Sequence, residues 1–148
     1  MKTKFTFLSI VAVGTLFVAK AQNADCPSNF SIFVENAKNK NYDAAYSPWM
    51  KTRKECPTYH KATFIYGERI LKNKIESTTN PTEKEALVKD LVAMYDEFEA
   101  NFPNDAKGNK LDKAMALVDY NISTPDQQYK LLDEAFTKDR ANFNKAKA

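Results

Sequence analysis

The sequence predicts an all-α protein built as a right-handed stack of about three antiparallel helical hairpins. Three observations lead there. Residues 41–57, NYDAAYSPWMKTRKECP, place small Ala45, aromatic Trp49, Thr52 and a terminating Pro57 at the spacing of the second helix of a repeated helical hairpin, and weaker copies recur downstream. Apolar residues elsewhere fall at i, i+3, i+4 and i+7, the spacing of one helical face. The corresponding terminators, Pro57, Pro103 and Arg140, stand 46 and 37 residues apart, which a period of about 34 with loop insertions accommodates.

Of the 148 residues, the first 21 do not belong to that stack. Lys2 and Lys4 precede an apolar run of 14 at residues 5–18, and Ala19-Lys20-Ala21 offers small residues where a signal peptidase reads. The pattern is that of a cleaved secretory signal, leaving residues 22–148 as one helical domain. An uncleaved anchor is the competing reading, but the run falls short of the roughly 20 residues that span a bilayer. Lys2, Lys4 and Lys20 are three of the 22 basic residues, so the mature chain carries 19 basic against 19 acidic residues and no net charge. That balance gives no support to a nucleic-acid or anionic-membrane partner. Export puts Cys26 and Cys56 in an oxidising compartment. Cys26 precedes the first mature helix and Cys56 ends the second, so an antiparallel pair brings them together; a disulfide is expected, with buried free thiols as the alternative.

The first hairpin, about residues 28–57, opens at Asp25-Cys26-Pro27-Ser28, where Asp25 or Ser28 can cap and Pro27 suits a first turn. Phe30, Phe33, Val34 and Ala37 make one face. Asn41 can cap the next helix, whose inward stripe is Tyr42, Ala45, Tyr46, Trp49 and Thr52. Pro48 inside it frees the Ala44 carbonyl, so a bend is expected there. The second hairpin, about residues 58–103, has a first helix apolar over more than half its circumference, through Ala62, Ile65, Tyr66 and Ile70 with Phe64 and Leu71 beside them. Gly67 would let a neighbouring backbone approach closely. A loop at residues 76–80 follows, then a capping box at Thr82 and Glu85 and an apolar face of Leu87, Leu91, Met94, Tyr95, Phe98 and Phe102. The third hairpin, about residues 108–140, is weaker: Leu111, Ala114, Met115 and Val118 mark a short helix. Thr124-Pro125-Asp126-Gln127 is a strong start for the last one. Gln128, Leu132, Ala135 and Arg140 then keep the repeat spacing.

The residues of most chemistries are missing from the pattern. The mature chain has two glycines, Gly67 and Gly108, too far apart to wrap a phosphate. The single histidine, His60, has no metal-binding or catalytic companion and reads as a surface or capping residue. Glu83, Asp90, Glu97 and Asp133 read as solvated partners of nearby lysines. No catalytic residue, cofactor or metal ligand is expected, and the chain reads as a binding protein rather than an enzyme. The aromatic side chains read as inter-helix packing in preference to a sugar-stacking platform.

The mature chain resembles tetratricopeptide-repeat (TPR) proteins. More narrowly, C-P after the signal, then S-I-F-V-E-N-A-K, N-Y-D-A-A-Y-x-P-W, E-C-P and Y-G-E-R-I-L-K are similar to the N-terminal part of exported repeat proteins of Bacteroidota-type bacteria. The similarity is close over residues 25–74 and loose over 82–143. Those relatives are longer, which implies a truncated member, a fragment, or a partner that supplies the missing cap. The resemblance implies an adaptor or scaffold in the periplasm or cell envelope, or secreted, that binds another protein or peptide, such as a component of an outer-membrane complex, with no transmembrane segment after cleavage. The alternative it leaves is a structural or saccharide-binding accessory subunit of such a complex. In these repeats the first helix of each hairpin lines the concave face, which transfers partner contacts to Lys61, Phe64, Glu68, Leu71 and Lys72.

Overall fold

The computed structural model describes residues 25–138 and 140. The signal sequence expected at residues 1–21 and the tail at 141–148 lie outside the described residues. Among those described there are six helices and no strand: α1 (Cys26–Lys38), α2 (Tyr42–Glu55), α3 (Ala62–Ser77), α4 (Pro81–Asn101), α5 (Asn109–Asp119) and α6 (Pro125–Lys138). Each helix packs against the next in sequence, and α1 also reaches α3. Of the described helices none is long and apolar enough to cross a membrane.

Local chemistry sets the boundaries. Asp25 caps α1 by accepting from the Ser28 N–H at 3.3 Å. The turn into α2 is closed by Lys40 at φ 59°, in the left-handed region that ends helices, with the Asn41 N–H returning to the Asn36 carbonyl at 2.8 Å. α2 runs unbroken through Pro48, and the Thr52 hydroxyl donates to the Pro48 carbonyl at 2.9 Å. His60 sits at the entry to α3, where its Nδ1 accepts from the Ala62 N–H at 3.0 Å and its ring lies against Phe30. The capping box expected at Thr82 and Glu85 does not form. Asn80, one position ahead of Pro81, accepts from Thr82 and Glu83 N–H at 3.0 and 3.1 Å, and Glu85 pairs with Lys89 instead. The box at α6 does form: Gln127 N–H donates to Thr124 Oγ1 while Thr124 N–H donates to Gln127 Oε1.

Cys26 and Cys56 are joined by a disulfide, their Cα atoms 6.1 Å apart, tying the start of α1 to the end of α2. The core lies between α1 and α4. Phe33, Trp49, Phe64, Ile70, Leu71, Ile75, Leu91 and Met94 are among its fully buried side chains. Trp49 is its centre: the indole Nε1 donates to the Thr63 carbonyl at 2.8 Å, crossing from α2 to α3. Gly67 makes that possible, because a Cβ there would stand 2.6 Å from Trp49 Nε1 and 2.8 Å from Met94 Sδ. On α5 the buried positions are Asn109, Leu111, Ala114 and Ala116, whereas Met115, expected inward, is exposed.

Candidate functional site

The five residues expected to meet a partner separate into three groups. Lys61, at the entry to α3, is exposed and pairs with Asp105 in the turn after α4 at 2.5 Å. Phe64 and Leu71 are corrections: both are buried in the core and offer nothing to a partner. Phe64 stacks on Phe98 with ring centres 5.1 Å apart and meets Phe102 edge-on. The reason is that α3 packs against α1, α2 and α4 together. Its buried side is therefore Thr63, Phe64, Gly67, Ile70, Leu71 and Ile75, and Ile65, expected inward, points out. Glu68 and Lys72 remain, one turn apart and joined at 2.6 Å.

Around Glu68 and Lys72 lies a polar cluster contributed by three helices. Tyr95 of α4 is only 3% exposed, and its hydroxyl lies beside the Glu68 carboxylate without closing a hydrogen bond of ordinary geometry. Burial first, then the negative charges of Glu68 and Asp112, push its phenol far above the usual range. Burial also raises Tyr120, at the end of α5, with Glu76 adding and Lys72 opposing. Burial alone would lower the Lys72 ammonium; the hydrogen bond and charge of Glu68 outweigh it and hold the group above its ordinary value.

Two features were not legible in the residue pattern. Asp90 and Glu97 are not solvated partners of nearby lysines. Both grip Arg53, which is 7% exposed: Glu97 accepts from Nε and Nη2 at 2.7 and 2.8 Å, and Asp90 accepts from Nη1 at 2.9 Å. Arg53 also lies over the Trp49 ring, 5.4 Å from its centre. Desolvation opposes its charge and the two carboxylates more than restore it. A cleft of about 470 Å³ opens at this clamp, with Met50, Lys54 and Asn101 on its walls. The second is a smaller cavity of about 160 Å³ among α4, α5 and α6. Lys110 reaches Glu99 at 3.2 Å and Glu134 at 3.7 Å, Lys113 holds Asp96 at 2.7 Å, and buried Asn109 donates to the Tyr95 carbonyl at 3.0 Å. The partners in both networks lie 11 or more residues apart in the chain or on different helices, so short-range spacing carries no trace of them. The one available signal was the position of Arg53 four residues after Trp49, which puts the two on the same side of a helix.

These charges are engaged with each other. Among the described residues no group of three His, Cys, Asp or Glu side chains is placed to hold a metal ion. The chain matches no known family model, no curated protein and no solved structure.

Proposed function

We propose that this chain is an exported, non-catalytic adaptor of TPR-like architecture, with α1–α2, α3–α4 and α5–α6 as three hairpins in a right-handed stack and the first helix of each turned toward a partner protein. The observation that carries the reading is that α1, α3 and α5 each keep one large aliphatic or thioether side chain in solvent: Ile32, Ile65 and Met115 are 48%, 41% and 38% exposed. A side-by-side stack of hairpins lines one surface with its first helices, and the reading assigns these three side chains to that surface. The packing of successive helices and the α1–α3 contact support the stack. The disulfide and the absence of a membrane-length helix among the described residues are compatible with export.

Chemical crosslinking of the mature protein in its native envelope tests the reading. One protein recovered at fixed stoichiometry, and lost on Ile65→Asp with Met115→Asp, is the expected result. The accessory-subunit alternative draws on Tyr59 and Tyr129, 46% and 74% exposed, as stacking surfaces for a saccharide. Retention on a glycan array that disappears in Tyr129→Ala, together with no protein partner, would replace the adaptor by that alternative.

A further inference from the structure

Helix α6 carries two parallel lines of side chains. Ala135, fully buried, marks the side that packs on α5, and half-buried Gln128 and Leu131 share its line. The other line is displaced by one residue, about 100° around the axis, and consists of Tyr129, Leu132 and Phe136. Tyr129 is 74% exposed, more than any other large apolar side chain among the described residues; Phe136 is 41% exposed, and Leu132 between them is half-buried. Their spacing, three residues and then four, is that of a seam along which one helix lies against another. Arg140 continues the line four residues on, with its guanidinium 5.2 Å from the centre of the Phe136 ring. Single exposed apolar residues are ordinary on a protein surface, but a row of them at seam spacing is the pattern of a contact.

The charges beside the row select its occupant. Asp126, Asp133 and Arg140 stand seven residues apart and follow the side of the row turned away from Ala135. A second α6 running antiparallel, with a two-fold axis between positions 132 and 133, sets Tyr129 against Phe136 of the second copy. The same axis brings Asp126 within one residue, about 1.5 Å along the helix, of Arg140 of the second copy, and symmetry makes that opposite-charge pair twice. Asp133 meets its own counterpart at the axis, where Lys130, three residues earlier on the same helix, offsets it. A parallel copy would instead set Asp126 level with Asp126 and Arg140 level with Arg140. The antiparallel order also lays the positive N-terminal end of one α6 beside the negative C-terminal end of the other.

We propose that the outer row of α6 is a self-association surface, on which a second copy of this chain docks by its own α6, antiparallel, to give a two-fold dimer. Tyr129 and Phe136 of each copy close the seam around Leu132, and Asp126 and Arg140 fix its direction. A contact between two single helices falls in the class of interfaces below about 1,200 Å², so the dimer is weak and reversible. The inference is separate from the adaptor reading, which a monomer would leave untouched.

Sedimentation equilibrium of the mature chain, from about 1 µM to about 1 mM, tests it. Dimer is expected to accumulate toward the upper end, and monomer throughout overturns the proposal. Tyr129→Asp should weaken association about tenfold or more, with Tyr129→Ser giving the same direction if the aspartate disturbs the helix. Asp126→Arg should weaken it several-fold, and adding Arg140→Asp to that variant should restore it. Direction is read with a short bis-maleimide on exposed positions. Asp133→Cys should link to its own copy, whereas Asp126→Cys should link to Arg140→Cys in a mixture and not to itself. A dimer that survives Tyr129→Asp, a charge swap that fails to restore it, or Asp126→Cys linking to itself as readily as Asp133→Cys overturns the proposal. So does loss of the dimer in Ile65→Asp with Met115→Asp, which would move the contact to the first helices of the hairpins.

Discussion

At Gly67 the backbone of α3 runs so close to its neighbours that the position admits a hydrogen and nothing larger. Alanine there would place its methyl group 2.6 Å from the Trp49 indole nitrogen, which is already committed to the Thr63 carbonyl, and 2.8 Å from the Met94 sulfur. Met94 can swing away, but the indole cannot move without giving up its bond. Gly67→Ala should therefore cost about 1–3 kcal/mol, the usual range for overpacking a filled core, in a denaturant titration. An unchanged midpoint would mean that the Trp49 site is looser than these distances indicate. Two hydroxyls have the opposite character. Thr63 Oγ1 and Tyr95 Oη are buried without partners, and removing an unsatisfied group leaves nothing unpaired behind. Thr63→Val should leave stability unchanged or raise it by up to about 1 kcal/mol. Tyr95 adds a pH dependence. Its phenol is raised from the ordinary 10.0, first by burial and then by Glu68 and Asp112, so the folded protein keeps a proton that the unfolded chain releases. The stability from this group is fully present below pH 10 and is lost as pH rises beyond it. In urea titrations from pH 8 to 11.5, Tyr95→Phe should flatten the decline, and Tyr46 and Tyr120, raised for the same first reason, should account for what remains.

Helices α2 and α4 are held in register by Arg53. Three of its N–H groups are bonded to Asp90 and Glu97, and its guanidinium covers the Trp49 ring. Arg53→Ala removes both the clamp and the cover. The loss should be about 1.5–3 kcal/mol, the range for hydrogen bonds to charged groups. It stays below the about 3–5 kcal/mol of a fully enclosed pair because Asp90 and Glu97, 32% and 42% exposed, can take up water once the arginine is gone. Lysine would keep the charge but not the two-pronged grip on Glu97, so Arg53→Lys should recover only part of the loss. The disulfide acts on a different pair, α1 and α2, which already pack along their length. Closing a loop of 30 residues contributes about 3–4 kcal/mol by restricting the unfolded chain. Cys26→Ser with Cys56→Ser should therefore lower the unfolding free energy by that amount in a denaturant titration while the far-ultraviolet helix signal below the transition stays the same. Loss of the helix signal in buffer would show that packing alone cannot hold α1.

Across the whole molecule, stability should be graded along the chain. α1 to α4 share the central cluster around Trp49, to which α5 adds Ala116 and the preceding turn adds Ala106, whereas α6 adds no residue and packs on α5. Native-state hydrogen exchange should accordingly show α6 opening at the lowest free energy and the α2–α4 segments only with global unfolding. Equal protection across all six helices would refute that gradient. The residues alone were enough to place all six helices, since apolar spacing at the helical period, the Thr124–Gln127 box and the prolines at helix ends are local properties of the backbone. They also pointed to the Cys26–Cys56 bond, because antiparallel neighbours bring those two ends together. What they could not settle was rotation about each helix axis. α3 carries apolar residues over more than half its circumference, so these did not single out one inward line, and only packing against three neighbours turned Phe64 and Leu71 inward and Ile65 outward. Ion pairs between distant helices were equally hidden. A surface charge looks the same in sequence whether it meets water or, as with Asp90 and Glu97, an arginine 37 or 44 residues away; that choice belongs to the way the helices are stacked in space.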